Sequence, residues 1–316
     1  MYQPAKLKTS YTGLFAKKDI LLTSTISLSY LLLSKILIGY KPEQLVLVLL
    51  FNLLYYLSFT TRKFITGFSV FIIFWITFDY MKAFPNYLYN SVHIGSLYNA
   101  EKSIFGIHVN GQVITPNEYW RQNSSTLLDI ISGIFYLCWV PVPLAFAAFL
   151  FFSNRRKQFM YFALTFLLVN FIGFAGYYLY PAAPPWYIQY YGTQFQPHTP
   201  GNTAGLQRFD NFFHAGIFHA LYAKSSNVFA AMPSLHSAYN LIVLYYALKN
   251  RLGLINIFFA IVAVGIWFAA VYSSHHYVLD VLAGICCAVA GIFLFMNVIV
   301  PNKWFQEKIV EKFVRD

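Results

Sequence analysis

The sequence predicts an all-α, polytopic membrane bundle of about eight transmembrane helices, and three observations predict it. Of the 316 residues, 58% are hydrophobic and only 10% are charged, whereas a soluble domain carries about 25% charged residues. Apolar runs such as those ending near Tyr40 and starting near Leu254 have the ~20-residue length that crosses a bilayer. The basic residues fall at alternate span ends, as the positive-inside rule requires.

The elements follow in order. Behind the basic stretch MYQPAKLKTSYTGLFAKKD comes a first span at about 20–40. No small-residue cleavage site follows this run, so it reads as a span rather than a removable signal peptide. The second and third spans are placed at 43–59 and 65–84. Together with residue 1 onward they form an N-terminal helical unit, 1–84, poor in polar residues. Residues 85–126, rich in Tyr, Asn, Gly and Pro, form an outer loop with short helices of its own. Spans at 127–152, 158–180, 234–249, 254–273 and 277–300 make up a core at 127–300. Between two of them lies a second long outer segment, 181–233, opening with PAAPPWY. Its prolines at 181, 184 and 185 end the preceding helix and force an extended chain. PNKWFQEKIVEKFVRD closes the chain as a cytoplasmic tail, 301–316.

With the N-terminus inside, eight spans return the C-terminus to the same side. Lys6, Lys8, Lys17, Lys18, Arg62, Lys63, Arg155, Arg156, Lys157, Lys249, Arg251, Lys303, Lys308, Lys312 and Arg315 then lie inside, 15 of 22 basic residues. The formal charge of +11 is thereby a matter of topology, and no nucleic-acid partner is expected. Cys138, Cys286 and Cys287 fall within spans and read as small apolar packing residues. Lys35 and Asp79, inside spans, are functional-site candidates by rule or a mutually neutralising pair. Trp186 and Tyr187 read as part of an interfacial aromatic belt.

All eight histidines sort to the outer side. The bland reading, that loops hold polar residues, fits most of them but not His236 or the pair His275–His276, which sit where apolar helices begin. In AAMPSLHSAYN, residues 230–240, Ser234 follows Pro233 and opens a helix. In SSHHYVLD, residues 273–280, His276 and Asp280 are four apart and share a helix face. A down-up-down path of the last three spans returns His236 and His276 to one depth. Two helix N-termini there would make an anion site. A carboxylate on one ring nitrogen would fix the tautomer of His276 and leave the other nitrogen nucleophilic. His236 would serve as general acid. This constellation points to phosphoryl transfer at the outer membrane surface. Metal binding is the other use of such residues, but zinc assembles three or four ligands and helix N-termini repel a cation. A transporter would distribute polar residues through the spans to the inner side, and the histidines here do not.

At these residues the chain resembles the type 2 phosphatidic acid phosphatase superfamily, whose P-S-G-H motif corresponds to PSLHS at 233–237 and whose S-R-x5-H-x3-D motif corresponds to HHYVLD at 275–280. Leu235 stands in place of the glycine, Ala269–Ala270 in place of Ser-Arg, and the family's Lys and Arg-Pro motif is absent. Those departures, the double histidine and PAAPPWY are similar to the inositol phosphorylceramide synthase branch, with YNAEKSIFG and STLLD as weaker matches. The similarity covers about residues 97–290. It implies that His276 is the nucleophile, Asp280 its partner and His236 the acid and base, with no metal and no cofactor. It implies transfer of inositol phosphate from a phospholipid donor to a ceramide-like acceptor, with hydrolysis of a phosphorylated lipid as the alternative. In place of the missing arginines, Arg208 and Lys224 are the expected phosphate contacts, with Arg208 alternatively paired to Asp210. Ser234 and His275 are expected to touch substrate, and Glu101 and Asp129 to meet head-group hydroxyls. No protein partner is expected.

Overall fold

The computed structural model describes residues 13–224 and 227–315. Lys6, Lys8 and the side chain of Arg315, counted above among the inside basic residues, lie outside them. The chain divides into two compact units, Met1–Ala83 and Phe84–Asp316.

The first unit holds α1 (Lys17–Leu37), α2 (Pro42–Leu57) and α3 (Phe59–Tyr80). Pro42 starts α2 where its missing N–H costs nothing. Ser58 caps α3, its Oγ accepting from Thr61 N at 3.0 Å. Sparse polar side chains pair across the helices: Thr23 with Tyr56 at 2.7 Å, Asn52 with Ser27 at 2.9 Å and Ser34 with Tyr80 at 2.9 Å. Such pairs matter where lipid offers no hydrogen bonds. Asp79 does not pair with Lys35. Its Oδ1 lies 2.5 Å from Lys82 and 3.9 Å from Lys41, and Lys35 is exposed. Lys82 is three residues from Asp79 and reaches it within one turn, which Lys35 on another helix does not.

In the second unit α4 (Gly95–Phe105) leads into a hairpin, β1 (Ile107–Val109) paired antiparallel with β2 (Gln112–Ile114), Ile107 opposite Ile114. Asn110 and Gly111, at φ 50 and 77 degrees, make the turn, the Asn-Gly pairing that such two-residue loops favour. Next come α5 (Pro116–Gln122), α6 (Thr126–Leu137), α7 (Pro141–Phe152), α8 (Arg156–Leu179) and α9 (Pro185–Tyr191). They are followed by α10 (Gln207–Phe213), α11 (Ile217–Ala223), α12 (Leu235–Lys249), α13 (Ile255–Tyr272) and α14 (Val278–Leu294), which runs on through a π turn to Ile299. The buried α12 packs against α8, α13 and α14. Outward faces carry large apolar side chains, Leu254 being 84% and Ile36 77% exposed, a surface suited to lipid rather than water.

The count of eight spans is not reached. Among the described residues five helices are long and apolar enough to cross a membrane, or six if the bent pair α6–α7 is one span. The expected span at 127–152 breaks at Cys138–Val140 with a 42° bend. Pro141 has no N–H to give the Leu137 carbonyl, and Pro143 lacks one too, so the helix cannot run through. The helices standing for two other expected spans, α2 and α12, have 16 and 15 residues.

The proline-rich segment is an internal strut. Ala182 N donates to the Phe229 carbonyl at 2.9 Å and Ala231 N to the Ala182 carbonyl at 3.3 Å, while Ala183 N donates to His93 on the other side. Trp186 and Tyr187 are 3% and 0% exposed and pack with Ala183 and Phe229. They therefore do not belong to an interfacial belt: the prolines turn the chain back into the protein, which carries both rings with it.

Candidate functional site

The geometry of the site starts from two chain reversals. At the end of α13, Ser274 takes the left-handed conformation, φ 61 degrees, so that the amides of both His275 and His276 fold back onto the Ala270 carbonyl at 3.1 and 3.0 Å. That reversal aims the His276 ring into the bundle, where it is 5% exposed. On the other side, Pro233 and Ser234 begin α12 and present His236 one residue into the helix. Ser234 N donates to the Asp280 carbonyl at 2.9 Å, tying the starts of α12 and α14 together.

The two rings meet. His236 Nδ1 lies 3.1 Å from His276 Nε2. His276 Nδ1 lies 3.0 Å from the Ala231 carbonyl, a pure acceptor, so the His276 proton sits on Nδ1 and Nε2 carries a lone pair. His236 Nδ1–H must then be the donor between the rings. The strut described above holds Ala231 in place, so the proline-rich segment fixes the tautomer of His276.

Asp280 does not accept that Nδ1–H. Its Oδ2 is 3.6 Å from Nδ1 and accepts the Tyr277 N–H at 2.8 Å, capping α14 from its third position. Oδ1 is buried without a partner. The carboxylate acts as a buried counter-charge within reach of the imidazole, while Ala231 takes the hydrogen bond that the spacing assigned to Asp280. Two amides of the α14 N-terminus are also already occupied. Those of Val278 and Leu279 donate to Glu101 Oε1 and Oε2 at 2.9 and 3.1 Å. Glu101, expected at head-group hydroxyls, is 0% exposed; burial raises its pKa, and the two amides pull against that rise.

Aromatic rings shape the surroundings. Trp139, in the break between α6 and α7, sets its ring edge-on to His236 with centroids 4.5 Å apart. The Tyr136 centroid is 5.1 Å from that of His236 and 5.5 Å from that of His275. His275 stacks on Tyr222 at 4.3 Å and donates Nε2–H to the Thr203 carbonyl at 3.0 Å, which leaves Nδ1 as an acceptor.

Burial lowers the His275 pKa from 6.5 to about 3, against the opposing hydrogen bond to Thr203. Between those values the unfolded chain binds a proton that the folded chain refuses. The stability due to neutral His275 is complete above pH 6.5 and is lost as pH falls through the window, at about 1.4 kcal/mol per unit. The melting temperature in detergent is expected to fall between pH 6.5 and 4, with a shallower fall in His275→Gln.

The remaining expected residues are placed as follows. Ser234 is fully buried and its Oγ accepts from Ser237 at 3.1 Å. Arg208 pairs with Asp129, Nε to Oδ1 at 2.6 Å, rather than with Asp210. Tyr272 donates to the same Asp129 oxygen at 2.7 Å. Arg208 Nη2 is buried and unpaired, a donor with capacity for an anion. Asp210 instead accepts two amides in the first turn of α11, those of Phe218 and His219. Lys224 is exposed at the end of α11, next to residues 225–226, which lie outside the described set. Residues that sequence reasoning missed are Asn117, whose Nδ2 donates to the Val271 and His276 carbonyls at 2.8 and 2.9 Å, and Tyr136, Trp139 and Tyr222. The break in α6–α7 was signalled by WVPVP at 139–143. Nothing in the sequence singles out Asn117.

Comparison with known proteins identifies the family. The family model described as PAP2 superfamily matches residues 109–294. The chain is 47% identical over 282 residues to the phosphoinositol dihydroceramide synthase of Bacteroides thetaiotaomicron, covering 89% of this chain and 92% of that protein. It is 27% identical over 179 residues to the inositol phosphorylceramide synthase of Candida albicans, covering 52% of this chain and 37% of that one. It is 30% identical over 166 residues to the catalytic subunit of the Saccharomyces cerevisiae enzyme, covering 51% and 41%. No solved structure matches the chain significantly.

Proposed function

We propose that this chain, which belongs to the PAP2 superfamily, is a sphingolipid phosphotransferase that moves inositol phosphate from phosphatidylinositol to dihydroceramide. The observation that carries this is the His236–His276 pair: a nucleophilic Nε2 lone pair facing an N–H at 3.1 Å, with the far nitrogen of His276 locked as N–H by Ala231. A phosphoryl group entering between the rings meets a nucleophile on one side and a proton donor on the other.

The chemistry then runs in two balanced steps. His276 Nε2 attacks phosphorus, the bond to the glycerol oxygen breaks, and His236, entering the step protonated on both ring nitrogens, gives that oxygen its Nδ1 proton and is left neutral, releasing diacylglycerol. The resulting phosphohistidine carries positive charge on its ring, and Asp280 is the buried carboxylate that balances it. The primary hydroxyl of dihydroceramide next attacks phosphorus while His236 takes its proton. The N–P bond breaks, regenerating His276 and releasing inositol phosphoryl dihydroceramide. Arg208, through its unpaired Nη2, and Lys224 are assigned to the phosphate, and His275, through Nδ1, to a substrate hydroxyl. The rings of Tyr136, Trp139 and Tyr222 form a wall around the histidines, which favours a lipid hydroxyl over water as acceptor.

The histidine end is assigned to the periplasmic or lumenal face, with both termini cytoplasmic. This is supported by the opposite end of the second unit, where Arg155 donates to the Asn250 carbonyl at 2.8 Å beside Arg156, Lys157 and Arg251.

Purified protein in detergent is given phosphatidylinositol with and without labelled short-chain dihydroceramide, and both lipid products and water-soluble head group are followed. A new phosphorylated dihydroceramide with stoichiometric diacylglycerol is the expected result. Free inositol phosphate formed equally with or without dihydroceramide would establish a hydrolase instead.

A further inference from the structure

His276, the nucleophile, lies in the short connection between α13 and α14, and Asp280, its counter-charge, lies in the first turn of α14. Something must hold this connection. Two side chains from the segment preceding α6 do so. Asn117, fully buried on α5, bridges the Val271 and His276 carbonyls with one Nδ2. Glu101, fully buried on α4, accepts the Val278 and Leu279 amides with its two oxygens.

We propose that Glu101 and Asn117 form a clamp that sets the position of His276 and Asp280, acting as positioning residues for the transfer reaction. The inference rests on the phosphotransfer reading of the histidine pair.

The energetics argue for a role beyond holding the fold. Burying a carboxylate is costly unless it is paired, and among the described residues no cation pairs with Glu101. The end of α14 already has a local cap in Asp280, so helix stability alone needs no second carboxylate. What the second one adds is an acceptor for the first two amides of α14, two residues on from the nucleophile. With those two amides taken, an incoming phosphate loses two of the donors that the α14 terminus would offer it. Glu101 also precedes residue 109, where the family match begins, so it is not part of the matched superfamily core.

The test uses full-length Glu101→Gln and Asn117→Ala in detergent, with steady-state kinetics on both lipids and single-turnover formation of the phosphoenzyme. Rates are normalised to active sites by the burst of diacylglycerol. Gln keeps the shape of Glu101 but replaces one accepting oxygen with an NH2 group and removes the charge. The expected result is a fall in kcat per site of about 10- to 100-fold, the same fall in phosphoenzyme formation, and KM for both lipids within about twofold of wild type. A lowered melting temperature with unchanged kcat per site would make the pair merely structural and overturn the proposal; raised KM at unchanged kcat would do the same. If Glu101→Gln yields no folded protein, Asn117→Ala, which removes only a neutral amide, is read by the same criteria. His276→Ala separates the two ideas: if it stays active, the phosphotransfer reading fails. If it is dead while the clamp variants keep wild-type kcat, only the clamp fails.

Discussion

Replacing His276 with alanine is expected to abolish dihydroceramide-dependent transfer, lowering kcat by at least about 10⁴-fold, the scale on which loss of a covalent nucleophile acts. The variant is also expected to form no acid-labile phosphoenzyme from head-group-labelled phosphatidylinositol. His236→Ala gives a different signature. The nucleophile remains, but neither the departing glycerol oxygen nor the attacking hydroxyl has its proton carrier, and both steps slow by about 10²- to 10⁴-fold. A more acidic leaving group, such as a nitrophenyl ester of the same phosphodiester, needs no proton on departure. It should restore the first step in His236→Ala and leave His276→Ala dead. If the activated donor rescues His276→Ala, or fails to rescue phosphoenzyme formation in His236→Ala, the assignment of roles is wrong.

The second large effect comes from a residue with no chemistry. A Cβ at Gly284 would stand 2.0 Å from the Ser234 carbonyl oxygen. The obstacle is backbone, so no rotamer relieves it, and α14 must move away from α12. The same contact carries the Ser234 N to Asp280 carbonyl bond, and the His236–His276 approach of 3.1 Å lies immediately above it. Gly284→Ala is therefore expected to cost about 1–3 kcal/mol of stability through overpacking and about 100-fold or more in kcat, since a 1 Å misplacement of reacting groups has that effect. Helix content by circular dichroism should stay at the wild-type value. Wild-type kcat in Gly284→Ala would mean that the separation of α12 and α14 does not control the reaction.

How far the sequence reached can be seen at individual residues. Hydropathy and the grouping of basic residues give the helical membrane character, because a lipid solvent leaves a long apolar run few other conformations. The four-residue spacing of His276 and Asp280, and the matching helix start at His236, bring out the candidate site because each pattern is local to one helix. Eight spans are not shown among the described residues: Pro141 bends one expected span, and the helices standing for two others have 16 and 15 residues. The Asn110–Gly111 pair is a hairpin signal that the loop-like composition around it masks.

What only the tertiary structure decides is which groups satisfy which. The Nδ1 proton of His276 goes to the Ala231 carbonyl, 45 residues away in sequence, rather than to Asp280 four residues on. Glu101 takes two amides of the helix terminus that the sequence offers to phosphate, and Arg208 turns to Asp129 instead of Asp210. The sequence determines the kind of helix, the side chains that can carry phosphoryl transfer and their spacing, since periodicity and covalent neighbours settle these. A hydrogen-bond partner is chosen by geometry among all groups the fold brings near, and a backbone carbonyl, identical at every residue, leaves no mark in the sequence.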